Sequence, residues 1–340
     1  MRTRNLIRGL AVAAVAALSL SGCAGNGGAG ATGGATDGAA TGGSGETYKI
    51  GISQLVQHPA LDAATAGFQQ ALKDAGLNVE FDIQNANGEQ GTAVTIAQSF
   101  ASDSDMDLVL AVATPAAQAA ATAITNVPVL FTAVTDPVSA ELVKDNAAPG
   151  GNVTGTTDMN PVADQIALIK EVVPTVATVG IVYASGEVNS QIQVDKAKEA
   201  AAANGIEIKT ATVTQVGEIP TALDSLGKVD ALYVPTDNMV VSGIDAVMQY
   251  SSSNKVPVFS GDTGPVEEHG AIATLGLDYE KLGYQTGEMA VKILTEGADP
   301  ATMPVEEQTA FDLVVNKKGA ADIGLEIPQA VIDKAKTVVE

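Results

Sequence analysis

The sequence predicts an α/β protein made of two doubly wound parallel-sheet lobes. Three observations carry that prediction. Short apolar runs alternate with helical stretches from Tyr48 onward, the same landmarks recur in the second half, and polar residues cluster just after the apolar runs. Strand–helix alternation is the mark of doubly wound sheets, whose ligand crevices lie outside the carboxyl ends of the strands. A length of 340 residues suits two buried cores at roughly 150 residues per domain.

The elements follow in order. Tyr48–Ser53 (YKIGIS) reads as a strand, and Ala60–Ala75 sets Leu61, Ala64, Phe68 and Leu72 on one helical stripe. Asn78–Gln84 and Gln90–Ala101 repeat the strand and the helix. Asp107–Ala113 (DLVLAVA) is continuously apolar, as a parallel strand covered on both faces requires. A helix over Pro115–Ile124 and a strand over Pro128–Thr132 complete the first round. The spacing from Ile50-Gly51 to Val127-Pro128 then recurs from Val179-Gly180 to Val256-Pro257. Asp107–Thr114 is matched by Asp230–Thr236, and NVPVLFTAVTDP by NKVPVFSGDTGP. Two lobes of one topology, offset by about 129 positions, account for these matches.

The first residues read as an address. Arg2, Arg4 and Arg8 precede an apolar run from Leu10 to Leu20, too short to span ~30 Å of hydrocarbon but suited to an export signal. The run ends in Leu20-Ser21-Gly22-Cys23, which resembles the bacterial lipobox. That resemblance implies removal of residues 1–22, lipidation of Cys23, and an exported chain anchored by lipid alone to the outer face of the cytoplasmic membrane or held as a periplasmic lipoprotein. Residues 24–46 are rich in Gly, Ala and Thr with no large apolar side chain, and read as a flexible linker.

Composition excludes several functions. Forty acids against 18 bases give a net charge of −22, which argues against nucleic acid as a partner. One Cys and two His, His58 and His269, leave no basis for thiolate zinc sites, disulfides or histidine-rich metal capture, so no metal or cofactor is expected. Asp103–Asp107 (DSDMD) lacks both the loop glycine and the closing Glu of a calcium loop. There is no P-loop, no GxSxG elbow and no Ser–His–acid arrangement, so an enzyme is not expected.

The segments GISQLVQHPALDAATAGFQQAL, ATPAAQ, FTAVTDPV, PGGNVTG, GEVNSQ, YVPTDN and LGLDYEKLGYQTGEMAVKIL, in this order, resemble ABC-transporter substrate-binding lipoproteins of the tryptophan/tyrosine-uptake type. The resemblance implies the periplasmic-binding-protein type I fold, with lobes joined by a three-strand hinge and closing on a small molecule. It places crossings near Thr154–Asn160, Gly276–Tyr279 and Pro304–Phe311. Residues 47–156 plus 279–304 would then form the first lobe, and 157–278 plus 305–340 the second. The implied partners of this monomer are a small-molecule ligand, an amino acid first of all, and an ABC permease with its ATPase. A sugar or nucleoside receptor of the same fold, or a ligand sensor, is the alternative.

Recognition of an amino acid needs donors for a carboxylate, acceptors for an ammonium and a pocket for the side chain. Gln54 and His58 lie in the first strand-to-helix loop. Thr114 precedes Pro115 at a helix start, where it serves as a cap or as a ligand contact. Thr135 and Asp136 form a similar loop before Pro137. Glu187, Asn189 and Ser190 follow the strand that ends near Tyr183, the best-placed aromatic for a ligand wall. Thr236, Asp237 and Asn238 are the second-lobe counterpart of Thr114. Asp237 or Asp262 is the candidate partner for a ligand ammonium. Asp158 lies near the implied hinge as a hydrogen-bonding residue, and Phe131 belongs to the core.

Overall fold

The structure, a computed structural model, describes residues 47–340. The export signal, Cys23 and the glycine-rich linker fall outside the described residues. In the first sheet, β1 (Thr47–Gln54), β2 (Asn78–Asn85), β3 (Leu108–Val112), β4 (Val129–Val134) and β5 (Val153–Thr157) are all parallel. Between them run α1 (Pro59–Asp74), α2 (Gln90–Ser102) and α3 (Thr114–Ala123). The chain crosses at Asp158–Pro161 into α4 (Val162–Val172), β6 (Thr178–Ala184), α5 (Val188–Ala203) and β7 (Glu207–Val213). Next come α6 (Ile219–Ser225), β8 (Ala231–Val234), α7 (Asn238–Ser242), α8 (Ile244–Asn254), β9 (Val258–Ser260), α9 (Gly264–Glu268) and β10 (Ala273–Gly276).

The chain returns through Leu277-Asp278 into α10 (Tyr279–Glu296), which packs on α1, and β11 (Glu306–Glu307), which pairs with β5. A third crossing at Gln308–Phe311 leads to β12 (Asp312–Asn316), α11 (Lys317–Ile323), α12 (Gln329–Ile332) and β13 (Thr337–Val339). The first sheet has the order β11-β5-β4-β3-β1-β2 and the second β13-β12-β10-β9-β8-β6-β7. The series β2-β1-β3-β4-β5 and β7-β6-β8-β9-β10 are one doubly wound topology repeated, and with three crossings between them they make the periplasmic-binding-protein type I architecture. No helix among the described residues is long and apolar enough to cross a membrane.

Local chemistry accounts for the elements. Leu61, Ala64, Phe68 and Leu72 form the buried stripe of α1, which begins at Pro59 because the fixed φ of proline suits a first helical position. Every residue of β3 is buried. That strand stops before Ala113, one residue short of the sequence reading, because Ala113 turns to a φ of +83°. The strand read over Pro128–Thr132 starts one residue later and runs on to Val134. The α1–α10 contact depends on missing side chains: a Cβ on Gly283 would fall on the Ala64 carbonyl, and one on Gly67 on the Glu280 carbonyl. This close approach fastens α10, a segment that has just left the second sheet, to the first lobe.

Candidate functional site

The loops at the carboxyl ends of the two sheets meet across a seam, and hydrogen bonds hold the lobes together there. Gln90 Nε2 donates to the Gly186 carbonyl (2.9 Å), and Gln193 Nε2 to Thr135 Oγ1 (3.4 Å). His58 Nε2 meets Asn238 Oδ1 (3.4 Å). Nearer the crossings, Asn160 Nδ2 donates to Thr236 Oγ1 (2.6 Å), and Thr236 Oγ1 lies 3.1 Å from Asp262 Oδ1. The Tyr279 hydroxyl sits between two carboxylates, 2.9 Å from Asp158 Oδ2 and 3.0 Å from Asp262 Oδ1. Asp158 also accepts from Thr135 Oγ1 (3.0 Å), so one network ties the first two crossings to both lobes.

Buried polar atoms without partners are rare in folded proteins and each calls for an explanation. Among the described residues, Ser53 Oγ, His58 Nδ1, Thr114 Oγ1, Asn160 Oδ1, Asn189 Oδ1, Asp262 Oδ2 and Thr274 Oγ1 are buried with none. All but Thr274 lie at or just beyond the carboxyl end of a parallel strand. Apart from His58 Nδ1, the chemistry of these strand-end atoms is sorted by lobe. The first lobe offers the hydroxyls of Ser53 and Thr114, the latter opening α3, where first-turn N–H groups lack helical partners and favour anions. The second lobe and the first crossing offer acceptor oxygens, from Asn160, Asn189 and ionised Asp262. A zwitterion matches this division.

Electrostatics strengthens it. Asp158, Glu187, Asp237 and Asp262 are all buried in or beside the seam, whereas residues 47–340 contain no arginine. Burial, with Asp158 alongside, pushes Asp262 up to about 7. Burial also raises Asp158, and it lifts Glu187 to about 7 with help from Asp237. Carboxylates raised in this way gain from an incoming cation, because it offsets the cost of keeping them ionised out of water. Burial lowers His58 to about 4, so its ring is neutral at pH 7.

Several candidates prove to have other uses. Gln54 is consumed inside its own loop: Nε2 donates to the Val56 carbonyl and Asp62 Oδ1, and Oε1 accepts from Thr65 Oγ1. Asp136 caps a turn at Ser139 N (3.0 Å). Tyr183 packs in a second-lobe core, its hydroxyl donating to Gln191 Oε1. Asp237, offered as an ammonium partner, is instead the N-cap of α7. Its Oδ1 accepts from Val240 N (2.7 Å) and its Oδ2 from Ala184 N (2.6 Å), leaving Asp262 as the acid with a free oxygen. Glu187 accepts from Asn189 Nδ2, Asn238 Nδ2 and the backbone N–H groups of Asn238 and Met239. Ser190 is fully buried beside Asn189.

Ser53, Asn160, Gln193 and Tyr279 are central residues the sequence reading missed. Ser53 and Asn160 carried a usable signal, since each stands at the polar end of a strand or crossing. Gln193, inside α5, had none. A cavity of about 310 Å³ at the seam is lined by Leu55, Pro115, Ala184, Gly186, Glu187 and Met239 among others.

Comparison with known proteins agrees with this geometry. The family described as ABC transporter substrate binding protein matches residues 49–339. The chain is 43% identical over 273 residues to a tyrosine-binding protein of Clostridioides difficile strain R20291, covering 79% of this chain and 78% of that one. An ABC domain from Streptococcus pneumonia, solved in complex with L-Trp, is 39% identical with a TM-score of 0.83, over 86% of this chain and all of that one. A substrate-binding protein with adhesive properties from Clostridium difficile, in a ligand-free, open structure, is 45% identical with a TM-score of 0.65, over 86% and 99% of the two chains.

Proposed function

Because the chain belongs to the ABC transporter substrate-binding protein family, we propose that it captures an aromatic L-amino acid, tyrosine or tryptophan, in the interlobe seam and delivers it to an ABC permease with its ATPase. The observation that carries this reading is the division of the free buried oxygens at the strand ends, hydroxyls on the first lobe and amide and carboxylate oxygens on the second lobe and first crossing. The carboxylate sits against Ser53, Thr114 and the start of α3. The ammonium sits against Asp262 Oδ2 and the Asn160 and Asn189 amide oxygens. Without an arginine among residues 47–340, hydroxyls and backbone N–H groups do the work of a guanidinium clamp. Leu55, Pro115 and Met239 offer the side chain an apolar surface.

Ligand atoms that touch both lobes stabilise the clasped arrangement alone, so binding shifts the population toward it. In support, the chain superposes better on the L-Trp complex (TM-score 0.83) than on the ligand-free, open relative (0.65), despite higher identity to the latter. The chain acts as a monomer, exported and held by lipid on Cys23 at the outer face of the cytoplasmic membrane, with residues 24–46 as its tether. Thermal-shift screening of the purified protein against amino acids, sugars and nucleosides tests the ligand class. L-Tyr or L-Trp should raise the melting temperature most, because a ligand selective for the native state stabilises it. A response confined to sugars or nucleosides overturns the amino-acid reading.

A further inference from the structure

His58 is the one candidate whose free atom belongs to neither the hydroxyl set nor the oxygen set. It stands immediately before α1, 7 % exposed, with Nε2 facing Asn238 across the seam and Nδ1 buried without a partner. The orientation of the Asn238 amide is set from behind. Its Nδ2 donates to Glu187 Oε2 at 2.6 Å, and Glu187 is held as an acceptor by two backbone N–H groups, Asn238 N on Oε2 and Met239 N on Oε1. A backbone N–H cannot reverse its role. Asn238 therefore turns Oδ1 toward His58, which places the imidazole proton on Nε2 and leaves Nδ1 a bare lone pair.

We propose that His58 Nδ1 accepts the side-chain hydrogen bond of the ligand, the phenol O–H of tyrosine or the indole N–H of tryptophan, and so sets the preference for these amino acids over phenylalanine. This rests on the functional reading above and adds a specificity-determining residue to it. The ammonium already has its acceptors nearer the crossings, at Asp262 and Asn160. His58 stands in the loop that also supplies an apolar wall of the seam cavity. Leu55 is in the same loop, and Met239 follows Asn238, and both line the seam cavity. A phenylalanine ring fills the same space but leaves a buried acceptor unpaired, the costly outcome for a polar group out of water.

The test is calorimetric titration of the purified protein with L-Tyr, L-Trp and L-Phe, together with ¹⁵N NMR of the imidazole. The wild type should bind L-Tyr or L-Trp about 10- to 100-fold more tightly than L-Phe. In His58→Leu that ratio should fall toward one. In the liganded, clasped protein His58 should carry its proton on Nε2, and the Nδ1 resonance with L-Tyr or L-Trp bound should show a hydrogen bond that is absent with L-Phe bound. A ratio that survives His58→Leu, or a proton on Nδ1 in the wild type with L-Tyr or L-Trp bound, overturns the assignment while leaving amino-acid binding in place. If no aromatic amino acid binds, the functional reading falls and the assignment with it. The NMR measurement uses the wild-type chain, so it decides the matter even where His58→Leu does not fold.

Discussion

At the scale of single residues, the seam carries buried polar groups without partners, which the proposed function assigns to a ligand. Thr114 is the simplest case, a buried hydroxyl with no partner. Thr114→Val should leave the ligand-free melting temperature unchanged or slightly raised, while the Kd for L-Tyr rises about 5- to 20-fold, as losing one hydrogen bond predicts. Thermal unfolding and calorimetric titration of the same preparation check both halves. Asp262 gives the pH dependence. Its value rises from the ordinary 3.8 to about 7 on folding, so the folded chain holds the proton more tightly than the unfolded one. The stability this contributes is complete below about pH 4 and is lost as pH rises through 7. The ligand-free protein should therefore gain thermal stability between pH 8 and pH 5. Affinity for the amino acid should fall over the same range, because a protonated Asp262 no longer attracts the ammonium. Glu187 acts in the same direction. A melting temperature and an affinity that move together with pH would contradict this account.

At the scale of elements, periodicity told more than composition. The stripe of Leu61, Ala64, Phe68 and Leu72 is legible because a helix turns every 3.6 residues, and those side chains are indeed the buried face of α1. The apolar run of β3 was legible for the same kind of reason. Less legible was α10: its buried stripe of Leu282, Met289, Ala290 and Ile293 marks an inward face, and close backbone contact at Gly67 and Gly283 seats that face on the first lobe. Gly283→Ala should push α10 off α1 and destabilise the protein by about 1–3 kcal/mol, the usual range for overpacking. Urea unfolding reads this loss, while Gly297→Ala, at a helix end with open space around it but a positive φ, separates backbone strain from steric clash. The smaller cost expected at Gly297 comes from left-handed backbone alone.

At the scale of the whole molecule, the three crossings at 158–161, 277–278 and 308–311 are all that joins the lobes covalently. The noncovalent ties across the seam include the hydrogen bonds of Gln90 to Gly186, Gln193 to Thr135, His58 to Asn238 and Tyr279 to Asp262, with Val188 of the second lobe packed against the first-lobe core. On the proposed function, a ligand touching both lobes adds to these ties and shifts the population toward the clasped arrangement. Small-angle scattering should show a smaller radius of gyration with saturating L-Tyr than without it, and an unchanged profile would remove closure from the mechanism. Gln193→Ala should loosen the seam and weaken L-Tyr binding several-fold, about 1 kcal/mol for a lost hydrogen bond.

The sequence by itself determined the duplicated α/β architecture, the core stripes and the strand-end loops in which a ligand is met. These depend on local periodicity and on the order of elements, both of which survive without knowledge of the packing. Only the tertiary structure decided which polar atoms at those ends stay free. Gln54, Asp136 and Asp237 stand in the same kind of loop as Thr114 and Asp262, yet backbone and side-chain partners claim the first three and leave the other two with an unpaired oxygen. That choice turns on competition among groups far apart in the chain, within distances of about 3 Å that only the assembled fold establishes.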